Sequence, residues 1–451
     1  MTTSLADGLA DTAADLIARA TSKGADAADV IVMRGLRQSV DWRLGKLESV
    51  DRSEACDLGL RVFVGQRQAS VSSTDFAAGG FDELVDRALA MARIAPADPY
   101  AGLADPVQFA TAIPDLDLMD GDGDVEVERL TEWAREAEEA ALAVEGVSNS
   151  EGGSAGCGRS EVVLATSNGF VGGYAGSSFS VACSVLAGSA ETGMERAYDS
   201  CGVRHREDLM SPAAIGASAG EQAVARLGPR KVSTRQVPVV FDKRIAGSLI
   251  GHFLGAISGS AIARKSSFLL DRMGQPVFAP GIGIIDDPLR PRGLRSKPFD
   301  GEGVRTQRSD LVREGTLATW LLDCGTARQL GLTTTGHAAR GVGGPPAPSA
   351  TNVHMTPGRL SLKELIADFE EGYFVTSLMG QGVNGVTGDY SRGSAGFWIE
   401  NGEIAYPVSE VTIAGNLKDM FLNLTPADDL EFRYGVNAPS VRIEGMTVAG
   451  A

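Results

Sequence analysis

The segment FDKRIAGSLIGHFLGAISGSAIARK, residues 241–265, follows a strand-like run over 236–241 and has the residue pattern of a helix. Asp242 is its predicted N-cap, because an aspartate side chain can accept hydrogen bonds from the free N–H groups of a first turn. One face carries, at helical spacing, the residues Ile245, Leu249, His252, Phe253, Ala256 and Ile257. Glycine recurs every fourth residue, as Gly247, Gly251, Gly255 and Gly259. Each glycine costs a helix roughly 1 kcal/mol relative to alanine, so the four indicate either close backbone packing or descent from a functional helix.

The composition around this segment is that of a globular protein with many tight turns. The chain has 451 residues, of which 43% are hydrophobic and 22% charged, enough for about two domains and a large core. The 56 glycines favour a β-rich fold with hairpins. The net charge of −17 argues against nucleic-acid and anionic-membrane partners, because phosphate binding requires lysine and arginine surfaces.

Cysteine usage and the first residues suggest a cytoplasmic protein. The five cysteines are odd in number and form no C-x-x-C pair, so neither a disulfide framework nor a zinc ribbon is expected. The first twenty residues lack the basic and apolar regions of a signal peptide. No window of about 18 apolar residues is present, so we expect no membrane span.

Hydrophobic periodicity predicts an α+β fold in two parts. Residues 1–230 read as a mixed α/β domain with helices over 4–20, 81–94 and 126–144 and short strands over 29–33, 38–43 and 47–52. Residues 231–451 read as a mainly antiparallel, β-barrel-like domain. Hairpin turns are predicted at Gly65, Asn168-Gly169, Glu314-Gly315 and Asn401-Gly402.

Two further segments of the second part have distinctive local sequences. Residues 336–349, GHAARGVGGPPAPS, read as a flexible surface loop, with substrate gating as the alternative. Residues 361–364, SLKE, have the pattern of a capping box and predict a helix that extends to residue 371.

Residue chemistry alone reveals no self-sufficient active site. None of the four histidines, His205, His252, His337 and His354, belongs to an H-E-x-x-H motif. A three-dimensional metal site from His337, His354 and a carboxylate stays open as an alternative. G-x-S-x-G occurs over 152–156 and 216–220, but neither copy follows a strand and opens a helix as a hydrolase serine requires.

Several long motifs resemble the TldD/PmbA family of metalloproteases, and within it the PmbA (TldE) branch. They are GSLIGHFLGAISGSAIARKSSFL from residue 247, ATNVHMTPG from 350, GQGVNGVTGDYSRGSAGFWIENGEIAYPVSEVTIAGNL from 380 and SVRIEGMTVAG from 440. The run GLRQSVDWRLGKLESVDRSEACDLGLRVFVGQRQASVSSTDF from residue 35 also resembles the family. The resemblance covers nearly the whole chain.

The resemblance implies that the metal motif of the TldD branch is degenerate here. That branch carries H-E-x-x-x-H on a helix and a cysteine as third ligand near the C-terminus. In the register set by the run over 263–265, the first histidine falls on Gly251, the glutamate on His252 and the second histidine on Ala256. Residues 428–441 contain no cysteine. We therefore expect no catalytic residue and no metal ligand in this chain.

The family further implies a two-subunit protease for unfolded or extended peptides, in which a TldD-type partner holds zinc. This chain would be the partner subunit without metal, in a heterodimer or, alone, a homodimer. Two alternatives remain: a non-enzymatic peptide-binding homodimer, or an active peptidase with an unrecognised site. A peptide could add to the edge of a strand predicted over 380–389, whose glycines leave room for a second backbone. The alternative is that these glycines only make turns in a barrel. The predicted peptide-binding residues are Asn352, Gly380, Gln381, Gly382 and Val383.

Overall fold

The structure, a computed structural model, describes residues 3–189, 191 and 193–450. Its first half is one antiparallel sheet covered by helices. The helices are α1 (Thr3–Ser22), α2 (Ala78–Ile94), α3 (Val127–Leu142) and α4 (Pro212–Ala225). The strands are β1 (Ala27–Arg43), β2 (Lys46–Val64), β3 (Arg67–Ser73), β4 (Val147–Thr166), β5 (Val171–Ser189) and β6 (Gly193–Val203). Single 3-10 turns lie at Pro106–Gln108 and Arg206–Asp208.

These six strands pair in the order β3-β2-β1-β4-β5-β6. The even-numbered residues Val30, Val32 and Val40 of β1 are buried under the helices, α1 and α2 at one end of the sheet and α3 and α4 at the other. Because side chains alternate along a strand, Ile31 points to the opposite face, where it packs with Phe299 from the second half of the chain. One face of the sheet therefore carries the helices, and the other meets the second half of the chain.

The described residues of the second half form short helices and thirteen strands. The helices are α5 (Lys243–Ala256), α6 (Gly259–Ala263), α7 (Cys324–Leu330), α8 (Leu362–Ile366) and α9 (Leu417–Leu422). The longer strands are β7 (Arg235–Phe241), β14 (Glu371–Met379), β15 (Asp389–Glu400), β16 (Glu403–Asn416) and β19 (Val441–Ala449). The shorter strands are β8 (Ile284–Asp286), β9 (Ser309–Arg313), β10 (Thr316–Leu317), β11 (Ala338–Ala339), β12 (Ala347–Pro348), β13 (Val353–Met355), β17 (Leu424–Pro426) and β18 (Val436–Asn437).

The five longer strands close into a barrel in the order β16-β15-β14-β7-β19, with β19 pairing back onto β16. All of its pairs are antiparallel except β7 with β14. The apolar face of α5, including Leu249 and Phe253, packs into the same core as the barrel residues Val239, Tyr373 and Trp398. The predicted α+β class, with a barrel-like second part, is confirmed.

The helix predicted to run to residue 265 is interrupted. Asp242 caps it as predicted, with its carboxylate accepting from Arg244 N, but α5 ends at Ala256 and α6 starts at Gly259. Between them the backbone pairs with a distant residue: Leu321 N donates to Ile257 O at 3.0 Å and Gly259 N donates to Leu321 O at 2.8 Å. These two hydrogen bonds replace helical ones, so the helix breaks there.

Three other local predictions differ from the structure. The short strands predicted over 29–52 are parts of the long hairpin β1–β2, which turns at Leu44 and Gly45 with positive φ at both residues. The capping box at Ser361 is present, but α8 ends at Ile366 rather than at 371. Residues 336–349 are not a free loop, because β11 pairs with β12 and the Arg340 side chain is buried against Asp29.

Candidate functional site

The four glycines that recur along α5 and α6 have two kinds of surroundings. A Cβ on Gly247 would lie 2.9 Å from Val436 O, and one on Gly259, in the following helix, would lie 2.9 Å from Leu321 O. Close backbone packing therefore explains these two. A Cβ on Gly251 or Gly255 would meet no heavy atom within 4 Å. These two glycines face open space, and that space is a cavity.

This cavity, called here the helix cavity, has a volume of about 350 Å³. It is lined among others by Gly251, His252, Gly255, Ala256, Gln381 and Val383. The fold thus brings all three positions of the degenerate motif together with two of the five predicted peptide-binding residues. The sequence positions are 125 or more residues apart, so only the tertiary structure could place them together.

The prediction of a strand over 380–389 is wrong. The chain leaves β14 at Gly380 and re-enters regular structure at Asp389 in β15. The intervening loop folds back on β15: Ser391 N donates to Gly382 O at 2.7 Å. A Cβ on Gly382 would lie 1.6 Å from Ser391 O. The room that this glycine leaves is therefore filled by the chain's own backbone and not by a substrate.

Asn352 lies apart from the helix cavity and is buried in a hydrogen-bond network. Its Nδ2 donates to Ser296 Oγ and Asp287 O, both at 2.8 Å, and its Oδ1 accepts from Arg295 N at 2.9 Å. All of its side-chain hydrogen-bonding atoms are engaged in holding loops together. Asn352 therefore has a structural role, and its side chain has no free polar atom with which to bind a peptide as predicted.

His252 carries the one side chain with a metal-type donor among the three motif positions. Its Nε2 is buried without a hydrogen-bond partner among the described residues, and its ring meets Tyr390 edge-on with centroids 6.0 Å apart. Burial, reinforced by the charge of Arg392, lowers the pKa of His252. The imidazole is therefore neutral at pH 7.

The residues at this site do not fit a zinc ion. Protein zinc sites use three or four nitrogen, sulfur or oxygen donors, and neither Gly251 nor Ala256 supplies one. Within the described ranges, no group of three or more His, Cys, Asp and Glu side chains is placed to hold a metal. The alternative site at His337 does not form either, since its Nε2 faces Asp286 Oδ2 at 3.2 Å and its Nδ1 faces Thr335 Oγ1 at 2.8 Å.

A second cavity, called here the arginine cavity, was missed by sequence reasoning. It has a volume of about 850 Å³ and lies between β6 and α4 of the first half and α5, β14 and β15 of the second. Its lining includes Arg226, Arg244, Arg392, Ser248 and Thr376. The spacing of Arg244, Ser248 and His252 at every fourth residue of α5 was the available sequence pattern, since it puts polar groups on one helix stripe.

Comparisons with known proteins agree with this architecture. Three family models match successive parts of the chain: PmbA/TldA metallopeptidase domain 1 over 28–92, the central domain over 120–227 and the C-terminal domain over 234–450. Metalloprotease PmbA of Escherichia coli O157:H7 is 41% identical over 428 residues, which cover 94% of this chain and 92% of the relative. The chain belongs to the PmbA/TldD metallopeptidase family.

One further relative and two solved structures also match nearly the whole chain. The PmbA homolog of Haemophilus influenzae is 40% identical over 96% of this chain and 94% of its own. A Bacteroides thetaiotaomicron protein, described as a candidate modulator of DNA gyrase, superposes with a TM-score of 0.90 at 26% identity, covering 98% of each chain. TldE from Thermococcus kodakarensis superposes with a TM-score of 0.84 at 21% identity, over 97% of this chain and 100% of its own. Among the described residues of this family member, no helix is long and apolar enough to cross a bilayer.

Proposed function

We propose that this chain is the subunit without catalytic metal in a two-subunit metalloprotease that degrades or processes unfolded or extended peptides. The observation that supports this most is the cavity-facing stripe of α5, where Gly251 and Ala256 offer no donor atoms. A single neutral His252 cannot replace the missing ligands, because zinc requires at least two more from the protein. A TldD-type partner would supply the zinc and the general base.

The proposed function also includes how the chain assembles and where it works. In the absence of its partner, the chain would pair with a second copy of itself through the surface meant for that partner. Residues 1–230 and 231–451 would act as two domains, and the complex would work in the cytoplasm. The barrel and the two cavities support a role in forming the chamber around a peptide, since protein cavities that bind ligands typically have volumes of roughly 300–1,000 Å³.

The test is reconstitution with a paralogue from the same genome that carries H-E-x-x-x-H. We expect each subunit alone to leave an unfolded protein substrate intact and the mixture to cleave it. Elemental analysis should find zinc in the paralogue and none at stoichiometric level in this chain. A matched control is the paralogue with its motif glutamate replaced by glutamine, which should still assemble but not cleave.

Three outcomes would contradict the proposal. Close to one zinc per chain, lost in His252→Ala, would make this chain a metal-binding enzyme. Turnover by the chain alone, equal to that of the mixture, would favour an active peptidase with an unrecognised site. A chain that neither co-purifies with the paralogue nor changes its turnover would favour a peptide-binding homodimer instead.

A further inference from the structure

The arginine cavity concentrates positive charge in a protein whose net charge is −17. Arg226 at the end of α4, Arg244 in the first turn of α5 and Arg392 on β15 all line it. Arg226 and Arg244 come from different halves of the chain, yet they lie close enough that the charge of Arg244, after burial, contributes to lowering the pKa of Arg226. Three half-buried guanidiniums facing one space repel each other, so the arrangement favours an anion between them.

The polar atoms around this space are incompletely satisfied. Arg244 Nε, Ser248 Oγ and Arg392 Nε are buried without a hydrogen-bond partner in the described part of the chain. The contacts that the other guanidinium nitrogens make are to neutral oxygens. Arg244 Nη2 donates to Tyr198 O at 2.9 Å, and Arg226 donates to Arg196 O at 3.0 Å and to Thr376 Oγ1 at 3.4 Å. Buried donors of this kind are costly unless a ligand or water completes them.

The nearby carboxylates form no close ion pair with these arginines, although the charges of Glu195 and Asp242 act to raise the pKa of Arg226. Glu410 lines the cavity, but its Oε2 lies 3.5 Å from Lys231 Nζ, with which it forms an ion pair. Arg196 also lines the cavity, and its Nε forms an ion pair with Glu151 Oε2 at 2.6 Å. Glu195 also lines the cavity, and burial raises its pKa. Among the described residues, no carboxylate oxygen lies within 4.0 Å of Arg226, Arg244 or Arg392. The cavity is therefore left with a net positive charge.

A free strand edge runs along the same cavity. Strand β14 pairs with β15 from Glu371 to Met379 with a bulge at Thr376, but it pairs with β7 only at Tyr373, Phe374 and Val375. Beyond Val375, no strand of the described chain covers the edge of residues 376–379, and these four residues line the cavity. An open edge offers backbone N–H and C=O groups to an extended peptide.

We propose that the arginine cavity binds an extended peptide as an added strand on residues 376–379 of β14 and holds one of its carboxylates with Arg244 and Arg392. Ser248 Oγ lies on the same helix stripe as Arg244 and donates a further hydrogen bond. Arginine and hydroxyl donors suit a carboxylate because charge-assisted bonds are roughly twice as strong as neutral ones. This proposal rests on the proposed function as part of a peptide-processing chamber and names the chemistry that its substrate must carry.

The carboxylate has two sources, the C-terminus of the peptide or an acidic side chain, and three probes distinguish them. The probes are penta-alanine with an uncharged dye at its N-terminus, the same peptide as a C-terminal amide, and the amide with glutamate at its fourth position. Binding to the full-length chain is measured by fluorescence anisotropy at low salt. We expect the free acid to bind at least about tenfold more tightly than the amide. Recovery of affinity by the glutamate peptide would assign the site to side-chain carboxylates, and its absence would assign it to C-termini.

Variants of Arg392 then test whether the difference in affinity between the acid and the amide arises in the arginine cavity. Arg392→Gln should remove the difference between acid and amide, while Arg392→Lys should keep part of it because the charge is retained. Arg313→Gln is the matched control, since Arg313 is 73% exposed and does not line the cavity; it should bind both peptides as the unmodified chain does. A thermal melt of each variant shows that it is folded.

Two results would overturn the carboxylate site. One is equal binding of all three peptides to the unmodified chain, and the other is a preference for a peptide with a carboxylate that survives in folded Arg392→Gln. In the first case, measurable binding of all three peptides leaves the proposed function standing and removes only the carboxylate contact. Absence of binding by all three peptides would overturn this site, whereas the proposed function is decided separately by zinc content and by turnover of the reconstituted pair.

Discussion

Replacing Asp29 with asparagine should destabilise the protein strongly. The Asp29 carboxylate on β1 lies 2.5 Å from Arg61 Nη2 on β2 and 2.5 Å from Arg340 Nη1 in the segment 336–349. The exposed fractions of these side chains are 2%, 4% and 1%. Burial opposes ionisation of Asp29, but the two guanidiniums outweigh it and lower its pKa. One carboxylate therefore pairs with two buried cations and ties that segment to the first sheet.

The magnitude follows from what remains after the substitution. Asparagine has the shape of aspartate, so no cavity forms, but two buried guanidiniums lose their counter-ion. Breaking a buried ion pair on one side typically costs about 3–5 kcal/mol. Unfolding entropy of about 2.1 cal/mol/K per residue gives about 0.95 kcal/mol/K for the whole chain, so Tm should fall by about 3–5 °C. The fall would be larger if the first half unfolds on its own, because fewer residues then share the loss.

Thermal unfolding followed by circular dichroism measures this effect. Glu132→Gln is the control, because its partner Arg129 and Glu132 itself are 59% and 52% exposed and such a surface pair contributes about 0–1 kcal/mol. Limited proteolysis should also cut within 336–349 faster in Asp29→Asn than in the control. A Tm within about 1 °C of the unmodified protein, with unchanged proteolysis, would refute the assignment of this cluster as the anchor of the segment.

Three further outcomes are expected. Gly255→Ala should stabilise the protein by about 1 kcal/mol, because the new methyl group would enter open space beside α5. Gly382→Val should instead lower Tm, because its Cβ would collide with Ser391 O. Equal Tm values for the two variants would contradict this. Burial, with repulsion from Glu302, raises the pKa of Asp300 to about 7, so its contribution to stability is complete below the unfolded pKa near 4 and is lost as pH rises through 7. Tm should therefore fall between pH 5 and 8, and it should fall less steeply in Glu302→Gln. The same dependence of Tm on pH in that variant would count against repulsion between Glu302 and Asp300. Light scattering of the chain alone should report a homodimer, twice its 47.0 kDa; a monomer at micromolar concentration would disagree.

Local sequence predicted those features whose cause is local. The N-cap at Asp242, the capping box at Ser361 and the turn at Asn401 depend on side chains and backbone within four residues, and all three are present. The helix break after Ala256 depends on Leu321, which lies more than sixty residues away. The strand predicted over 380–389 failed because the loop bonds back onto Ser391. Glycine spacing could not tell a backbone contact from a cavity, since both leave a position without a side chain.

The sequence alone determined the class of fold, the family resemblance and the loss of metal donors at Gly251 and Ala256, because these depend on residue type and register along one segment. Only the tertiary structure decided which groups share a space. Arg226, Arg244 and Arg392 come from a helix end, a first helical turn and a barrel strand. Their proximity is set by how the closed barrel packs against the first sheet. Helical spacing shows that Arg244 and Ser248 share a stripe, but it does not show which distant side chains face them, because that depends on packing between apolar surfaces far apart in the sequence.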